Sequence, residues 1–135
     1  MQKMPIVEDF MDKVFETVKP DTRMGDAVEI LLDKRLTGIC VVDDDRHLLG
    51  ILSEKDCLKT LIHDGFHRVP DEKVERFMHA TPQTVRSGMG ILEAAQIFLN
   101  VTFRRLPVVD DGKLVGQITR RDIMRGMSQF AAPNR

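Results

Sequence analysis

The chain has no Trp and no Tyr, so its aromatic bulk is carried by seven Phe, and eight Met supply adaptable packing among its 135 residues. It has only two cysteines, Cys40 and Cys57. Cys40 sits in an apolar, strand-like run and Cys57 on a helix-like face, so both are expected to be buried free thiols in a reducing compartment rather than a disulfide framework. Charge of one sign is also missing: the formal net charge is −1, which gives no field to gather nucleic acid or an anionic membrane. No apolar run reaches the ~18 residues that would suggest a membrane span. The opening residues, Met1 to Asp9, lack the basic and apolar regions of a signal peptide. These absences lead to the expectation of a cytoplasmic protein. What remains, 42% apolar and 30% charged residues, is ordinary for a soluble globular unit with a real core.

The chain repeats itself, and a repeat governs every later inference. A shift of 67 residues brings Phe10-Met11 onto Phe77-Met78, Thr17-Val18 onto Thr84-Val85, Ala27 onto Ala94, and Val41-Val42-Asp43-Asp44 onto Val108-Val109-Asp110-Asp111. The turn after Val42 is one residue longer than its copy, so Leu48, Gly50 and Asp56 match Leu114, Gly116 and Asp122 at a shift of 66.

Each copy shows the same order of elements. A short strand is expected around Val14–Val18 and Gln83–Val85. A helix follows, with Met24, Ala27, Val28, Ile30 and Leu31, or Ile91, Ala94, Ala95, Phe98 and Leu99, mostly on one face. Next come a buried strand (Ile39–Val42 or Leu106–Val109), a tight turn, and a second strand (Leu48–Leu52 or Leu114–Ile118), a hairpin pattern. Ser53 or Thr119 then stands where a helix N-cap belongs, ahead of apolar helices over Ser53–Leu61 and Thr119–Met127. The expected fold class is α+β: β-α-β-β-α twice, two small sheets flanked by helices and paired about a pseudo-twofold axis. One copy, at roughly 55 residues, would bury too little surface to stand alone, and two share a core. The expected organisation is a first repeat over 1–62, a Gly- and Pro-containing connector over 63–72, and a second repeat with a short tail over 73–135.

Two segments carry a family resemblance: Gly38-Ile39-Cys40-Val41-Val42-Asp43 with Gly50-Ile51-Leu52-Ser53-Glu54-Lys55-Asp56, and Arg105-Leu106-Pro107-Val108-Val109-Asp110 with Gly116-Gln117-Ile118-Thr119-Arg120-Arg121-Asp122. The chain resembles a stand-alone tandem pair of CBS (cystathionine-β-synthase-type) domains. A single Gly-x-x-Ser/Thr-x-x-Asp is a weak signal; two copies in register with every neighbouring element are a strong one. Cys40 departs from the Pro usual at its place in that pattern.

The resemblance implies a regulatory module that binds an adenine nucleotide (AMP, ADP or ATP) or an adenosyl compound such as S-adenosylmethionine. The residue chemistry suits such a ligand. A carboxylate at a fixed position can accept from both ribose hydroxyls, and such charge-assisted bonds contribute ~1.5–3 kcal/mol each. Ser53 with Asp56, and Thr119 with Asp122, are three apart at a helix start, on one face, beside free N–H groups that favour phosphate. In the family each cleft mixes the copies. Carried over, one cleft joins Thr119, Arg120 and Asp122 to Glu16, Thr37, Gly38 and Ile39. The other joins Ser53, Lys55 and Asp56 to Gln83, Arg104, Arg105 and Leu106. The Asp122 cleft is favoured, for its small residues and for Arg120. At the other cleft, Arg104 and Arg105 either clamp a polyphosphate or block the pocket.

Plainer readings stand beside these. Ser/Thr with Asp at i+3 is also an ordinary capping pattern. Asp43-Asp44-Asp45 lacks the alternating ligands of a calcium loop and is expected to stay solvated. His63 and His67 read as surface residues, and no metal ligand set is expected. Gly88 and Gly90 around Met89 do not form a phosphate loop. With no nucleophile–base pair either, the chain is expected not to be an enzyme. Leu58, Leu61, Ile123 and Met127 are core or a dimer surface. The expected partners are a small-molecule nucleotide, a second copy of the chain and an unidentified effector protein, without nucleic acid or membrane. The rival reading is a dimerising interaction domain with empty clefts.

Overall fold

A computed structural model describes residues 3–64 and 71–131 and divides the chain into two compact units, one of residues 16–82 and the other of residues 1–15 with 83–135. The His67 reading and most of the expected connector lie outside the described residues.

The first unit holds β1 (Thr17–Val18), α1 (Met24–Asp33), β2 (Gly38–Val42), β3 (Leu48–Ser53) and α2 (Glu54–Asp64). β1 runs parallel to β2, and β2 pairs antiparallel with β3, with Gly38 opposite Ser53 and Val41 opposite Gly50. The helical spacing of α1 buries Met24, Ala27 and Leu31 against Val18, Ile39, Val41 and Leu52. The expected strand over Val14–Val18 shortens to its last two residues, and Val14 is exposed.

The second unit repeats the plan with α3 (Ile91–Leu99), β4 (Arg105–Asp110), β5 (Lys113–Thr119) and α4 (Arg120–Ala131). Its opening strand is reduced to one parallel bridge, Val85 to Val108. Its turn is tighter than that of the first hairpin: Asp111 and Gly112 both take positive φ (52° and 80°), the backbone of a two-residue hairpin that matches the strand twist. Asp110 ties this hairpin to the loop before α3, accepting from the Ser87 hydroxyl at 2.6 Å and the Ser87 N–H at 3.1 Å. These two bonds, the hydroxyl's first, hold the Asp110 carboxyl below its ordinary value. Ile91, Ala94 and Phe98 are buried, but Leu99 is exposed. At ~100° per residue it lies about a quarter-turn or more from the mean direction of the buried three.

The two sequence copies exchange their opening segments. Val7, from a short 3-10 turn (Val7–Asp9) that opens the first sequence copy, is buried in the core of the second unit beside Ile91, Leu106 and Ile118. Val74, from the matching turn (Val74–Arg76), is buried in the first unit beside Met24 and Leu52. Each segment then adds a one-residue bridge to the sheet it reaches. Asp12 and Gln117 exchange backbone bonds of 2.8 and 3.0 Å, and His79 and Ile51 do the same at 2.8 and 3.0 Å. The sequence copies and the compact units are therefore offset by about a dozen residues at the start of each copy.

Candidate functional site

In each unit the last residue of a strand runs directly into a helix, and the two corners are built alike. At the first, Ser53 Oγ accepts from the Asp56 N–H (3.1 Å), and Asp56 Oδ2 accepts from the Ser53 N–H (3.0 Å) and hydroxyl (2.9 Å). At the second, Thr119 Oγ1 accepts from the Asp122 N–H (3.1 Å) and Asp122 Oδ2 from the Thr119 N–H (2.9 Å). Both are reciprocal capping boxes, so the capping reading of these residues is part of the structure. A cap occupies one carboxylate oxygen. Oδ1 of Asp56 has no partner among the described residues, whereas Oδ1 of Asp122 accepts from Arg125 Nη2 at 2.7 Å.

The hairpin ladder places a strand start beside each cap. Gly38 pairs with Ser53 and the Glu54 N–H donates to the Thr37 carbonyl at 3.0 Å. Arg105 pairs with Thr119 and the Arg120 N–H donates to the Arg104 carbonyl at 3.1 Å. The structure thus gathers Ser53, Lys55 and Asp56 with Thr37, Gly38 and Ile39 in one unit, and Thr119, Arg120 and Asp122 with Arg104, Arg105 and Leu106 in the other. Ile39 and Leu106 turn their side chains into the cores of their own units, so a ligand meets only their backbone. Glu16, just before β1, lies 3.9 Å from Lys34 Nζ, and exposed Gln83 donates to the Thr84 carbonyl at 3.2 Å. Lys55, Arg104 and Arg120 are exposed. Arg105 is different: its Nε is buried and has no hydrogen-bond partner among the described residues.

A cleft of about 410 Å³ opens in the second unit, with Gln117, Thr119, Asp122 and Arg125 on one wall and residues 9–12 on the other. Arg125 also lies 5.5 Å from the centre of the Phe10 ring. Sequence reasoning missed this wall. Phe10-Met11 was legible as a mark of the repeat, not as a wall of a cleft.

Other singled-out residues find structural roles. The Asp43 carboxylate accepts from the Asp45 and His47 N–H groups (2.9 and 2.8 Å) and lies 3.0 Å from His47 Nδ1. Desolvation pushes the Asp43 carboxyl upward, and the bonds from His47 and Asp45 outweigh it, leaving the group below its ordinary value. Asp44 pairs with Lys19 at 3.3 Å. Cys40 is buried, but Cys57 is only half-buried, a correction to the expectation for both thiols. Burial, with Asp56 beside it, pushes the Cys57 thiol up. Of the apolar helix residues, Ile123 is core, while Leu58 and Met127 face outward.

Residues 7–63 and 74–129 each match the family described as CBS domain. CBSX2 and CBSX1, chloroplastic CBS domain-containing proteins of Arabidopsis thaliana, are each 33% identical over 92% of this chain. The chain spans 64% of the length of either relative. The crystal structure of CBSX2 in complex with AMP is 37% identical, with a TM-score of 0.80 over 93% of this chain and 98% of that one. The chloroplastic relatives overturn the expected cytoplasmic location. Free thiols ask only for a reducing compartment, and composition does not choose among such compartments.

Proposed function

The chain belongs to the CBS domain family as a tandem pair, a regulatory and non-catalytic module, and from that premise we propose that it senses an adenine nucleotide of the AMP class and relays its presence to a partner protein. The observation that carries this reading is Arg105 Nε, a buried donor of a cationic group with no acceptor among the described residues. An unmet buried donor costs ~1–3 kcal/mol, more on a charged group, and a phosphate oxygen is the acceptor that a guanidinium fits best. S-adenosylmethionine presents the same ribose but a sulfonium in place of phosphate, which a guanidinium repels. Arg105 therefore favours the phosphate-bearing members of the ligand class. AMP bound to CBSX2 supports the same choice.

In this reading Asp56 and Asp122 accept from ribose hydroxyls beside Ser53 and Thr119. Lys55, Arg104 and Arg120 add exposed positive charge. Thr37, Gly38, Ile39 and Leu106 offer backbone and small side chains to the base, and Glu16 and Gln83 border the strand starts. Sensing requires that the ligand prefer one arrangement of the protein, and the signal can be no larger than that preference. The relay runs through an effector protein and a second copy of the chain. Leu58 and Ile62 on α2, and Met124 and Met127 on α4, are exposed and support a self-association surface. They also favour the second reading, a dimerising domain that binds no nucleotide. Nucleic acid and membrane stay outside this reading: the net charge is −1, and among the described residues no helix is long and apolar enough to cross a membrane.

The test is thermal unfolding with adenine and guanine nucleotides, for wild type, Asp56→Asn and Asp122→Asn. Asn keeps a capping oxygen while losing the charge that ribose hydroxyls need. Ligand at 100 times its dissociation constant stabilises by ~2.7 kcal/mol, a rise of several degrees. A rise specific to adenine and reduced in either variant supports the sensor. No rise with any nucleotide leaves the dimerising domain.

A further inference from the structure

Asp56 and Asp122 hold matching places in the two copies, yet their second oxygens are treated differently. Asp122 Oδ1 accepts from Arg125 Nη2 at 2.7 Å, and its side chain is only 18% exposed. The same guanidinium lies 5.5 Å from the Phe10 ring centre, and Phe10 belongs to the exchanged segment that forms the far wall of the cleft. In the first copy the residue matching Arg125 is Lys59 (125 − 66 = 59), and no Lys59 contact to Asp56 is present among the described residues. Phe77, the match of Phe10, is instead covered by Arg76 of its own segment, at 5.5 Å. Oδ1 of Asp56 therefore has no partner among the described residues, while Oδ1 of Asp122 is held by a side chain the first copy lacks.

We propose that Arg125 is a built-in competitor for the ligand at Asp122, and so sets the order in which the two corners fill. The proposal rests on the sensor reading above. A ribose hydroxyl and Arg125 both need Oδ1. At the Asp56 corner a ribose meets a free oxygen, so that corner fills first. At the Asp122 corner the ligand must first break an ion pair. Partly exposed pairs of this kind shift an equilibrium by up to about fivefold. Filling the second corner also turns Arg125 away from Asp122. Because Arg125 spans α4 and Phe10, occupancy there alters the hold on residues 7–12, a change that filling the first corner does not make.

The test is calorimetric titration of AMP into Asp56→Asn protein, in which the Asp122 corner dominates, with and without Arg125→Met. Met keeps an apolar stem over Phe10 and removes the donor, and a melting curve confirms that each variant is folded. The expected result is AMP binding about two- to fivefold tighter with Arg125→Met. AMP binding that appears only with Arg125→Met also supports the competitor. Equal affinity overturns it. Weaker affinity overturns it too and makes Arg125 a contact to the phosphate. If wild type binds AMP but neither Asp56→Asn protein does, the competitor is wrong while the sensor stands. If wild type binds no AMP at all, the sensor reading fails and the competitor with it.

Discussion

Replacing Gly50 by Ala tests whether the exchanged segments hold the fold together. A Cβ at Gly50 would stand 2.7 Å from the His79 carbonyl oxygen and 2.8 Å from Met78 Sδ. The carbonyl is backbone and is held by the bridge between Ile51 and His79, so relief means pushing the segment off the sheet. That forfeits two backbone hydrogen bonds at ~0.5–1.5 kcal/mol each, on top of an overpacking cost of ~1–3 kcal/mol. The expected destabilisation is about 3 kcal/mol, and at roughly 3–4 °C per kcal/mol for a chain of this size the melting temperature falls by about 10 °C. Gly116→Ala makes the same approach in the second unit, but there the nearest atom is Met11 Sδ, at 2.7 Å, with the Asp12 carbonyl at 3.0 Å. A thioether swings aside more easily than a carbonyl, so the loss is smaller. Gly88→Ala, with nothing within 4 Å of its Cβ, is the control and is neutral or stabilising by up to ~1 kcal/mol. Thermal and urea unfolding of the three variants reads the order directly. A Gly50→Ala protein that melts with wild type, or above Gly116→Ala, would refute the argument that the segment is locked against the sheet.

Gly38→Ala separates ligand binding from stability: its Cβ meets only ordinary contacts, 3.5 Å from the Leu52 carbonyl and 3.7 Å from Ile51. The melting temperature is expected to stay within about 2 °C of wild type while AMP affinity falls, because the added methyl fills space beside the Ser53 cap; equal AMP affinity in a titration would remove Gly38 from the site. The Asp110–Ser87 bonds give a pH dependence. A carboxyl held below its unfolded value of ~3.9 stabilises the protein above that pH and loses the contribution as pH falls through its folded value. Ser87→Ala is therefore destabilised at pH 7 by ~1 kcal/mol, and the gap to wild type closes on acidification below about pH 4. Denaturant titrations at a series of pH values check this, and a gap that widens toward acid would contradict it.

The helices and hairpins were legible because their apolar residues recur at two clear periods and because each appears twice. Ser53 and Thr119 could be identified as caps from residue type and position alone, and both bonds of each box are present. The segment exchange was not legible. Val7 and Val74 are single buried residues in one-turn elements, and the bridges at Asp12 and His79 involve one residue each, too short for any period to show. The opening strand of the second copy looked equal to its match, yet Gln83–Val85 keeps only the Val85 bridge. Leu99 was grouped with the apolar face, but at ~100° per residue it lies a quarter-turn or more from the buried three and is exposed. At the candidate site, residue types pointed to Asp56 and Asp122. The pairing of Asp122 with Arg125, and the unmet Nε of Arg105, depend on side-chain rotamers that sequence spacing does not encode.

Calorimetric titration of AMP and of adenosine into wild type and Arg105→Met tests the central claim most directly. The two ligands differ only by the phosphate, and the variant removes only the donors proposed to receive it. At the Asp122 corner, where Arg105 stands, AMP is expected to bind ~10- to 100-fold tighter than adenosine, as a charge-assisted contact implies, and that advantage is expected to collapse there in Arg105→Met. Equal binding of AMP and adenosine by wild type, or no binding of either, would contradict the account.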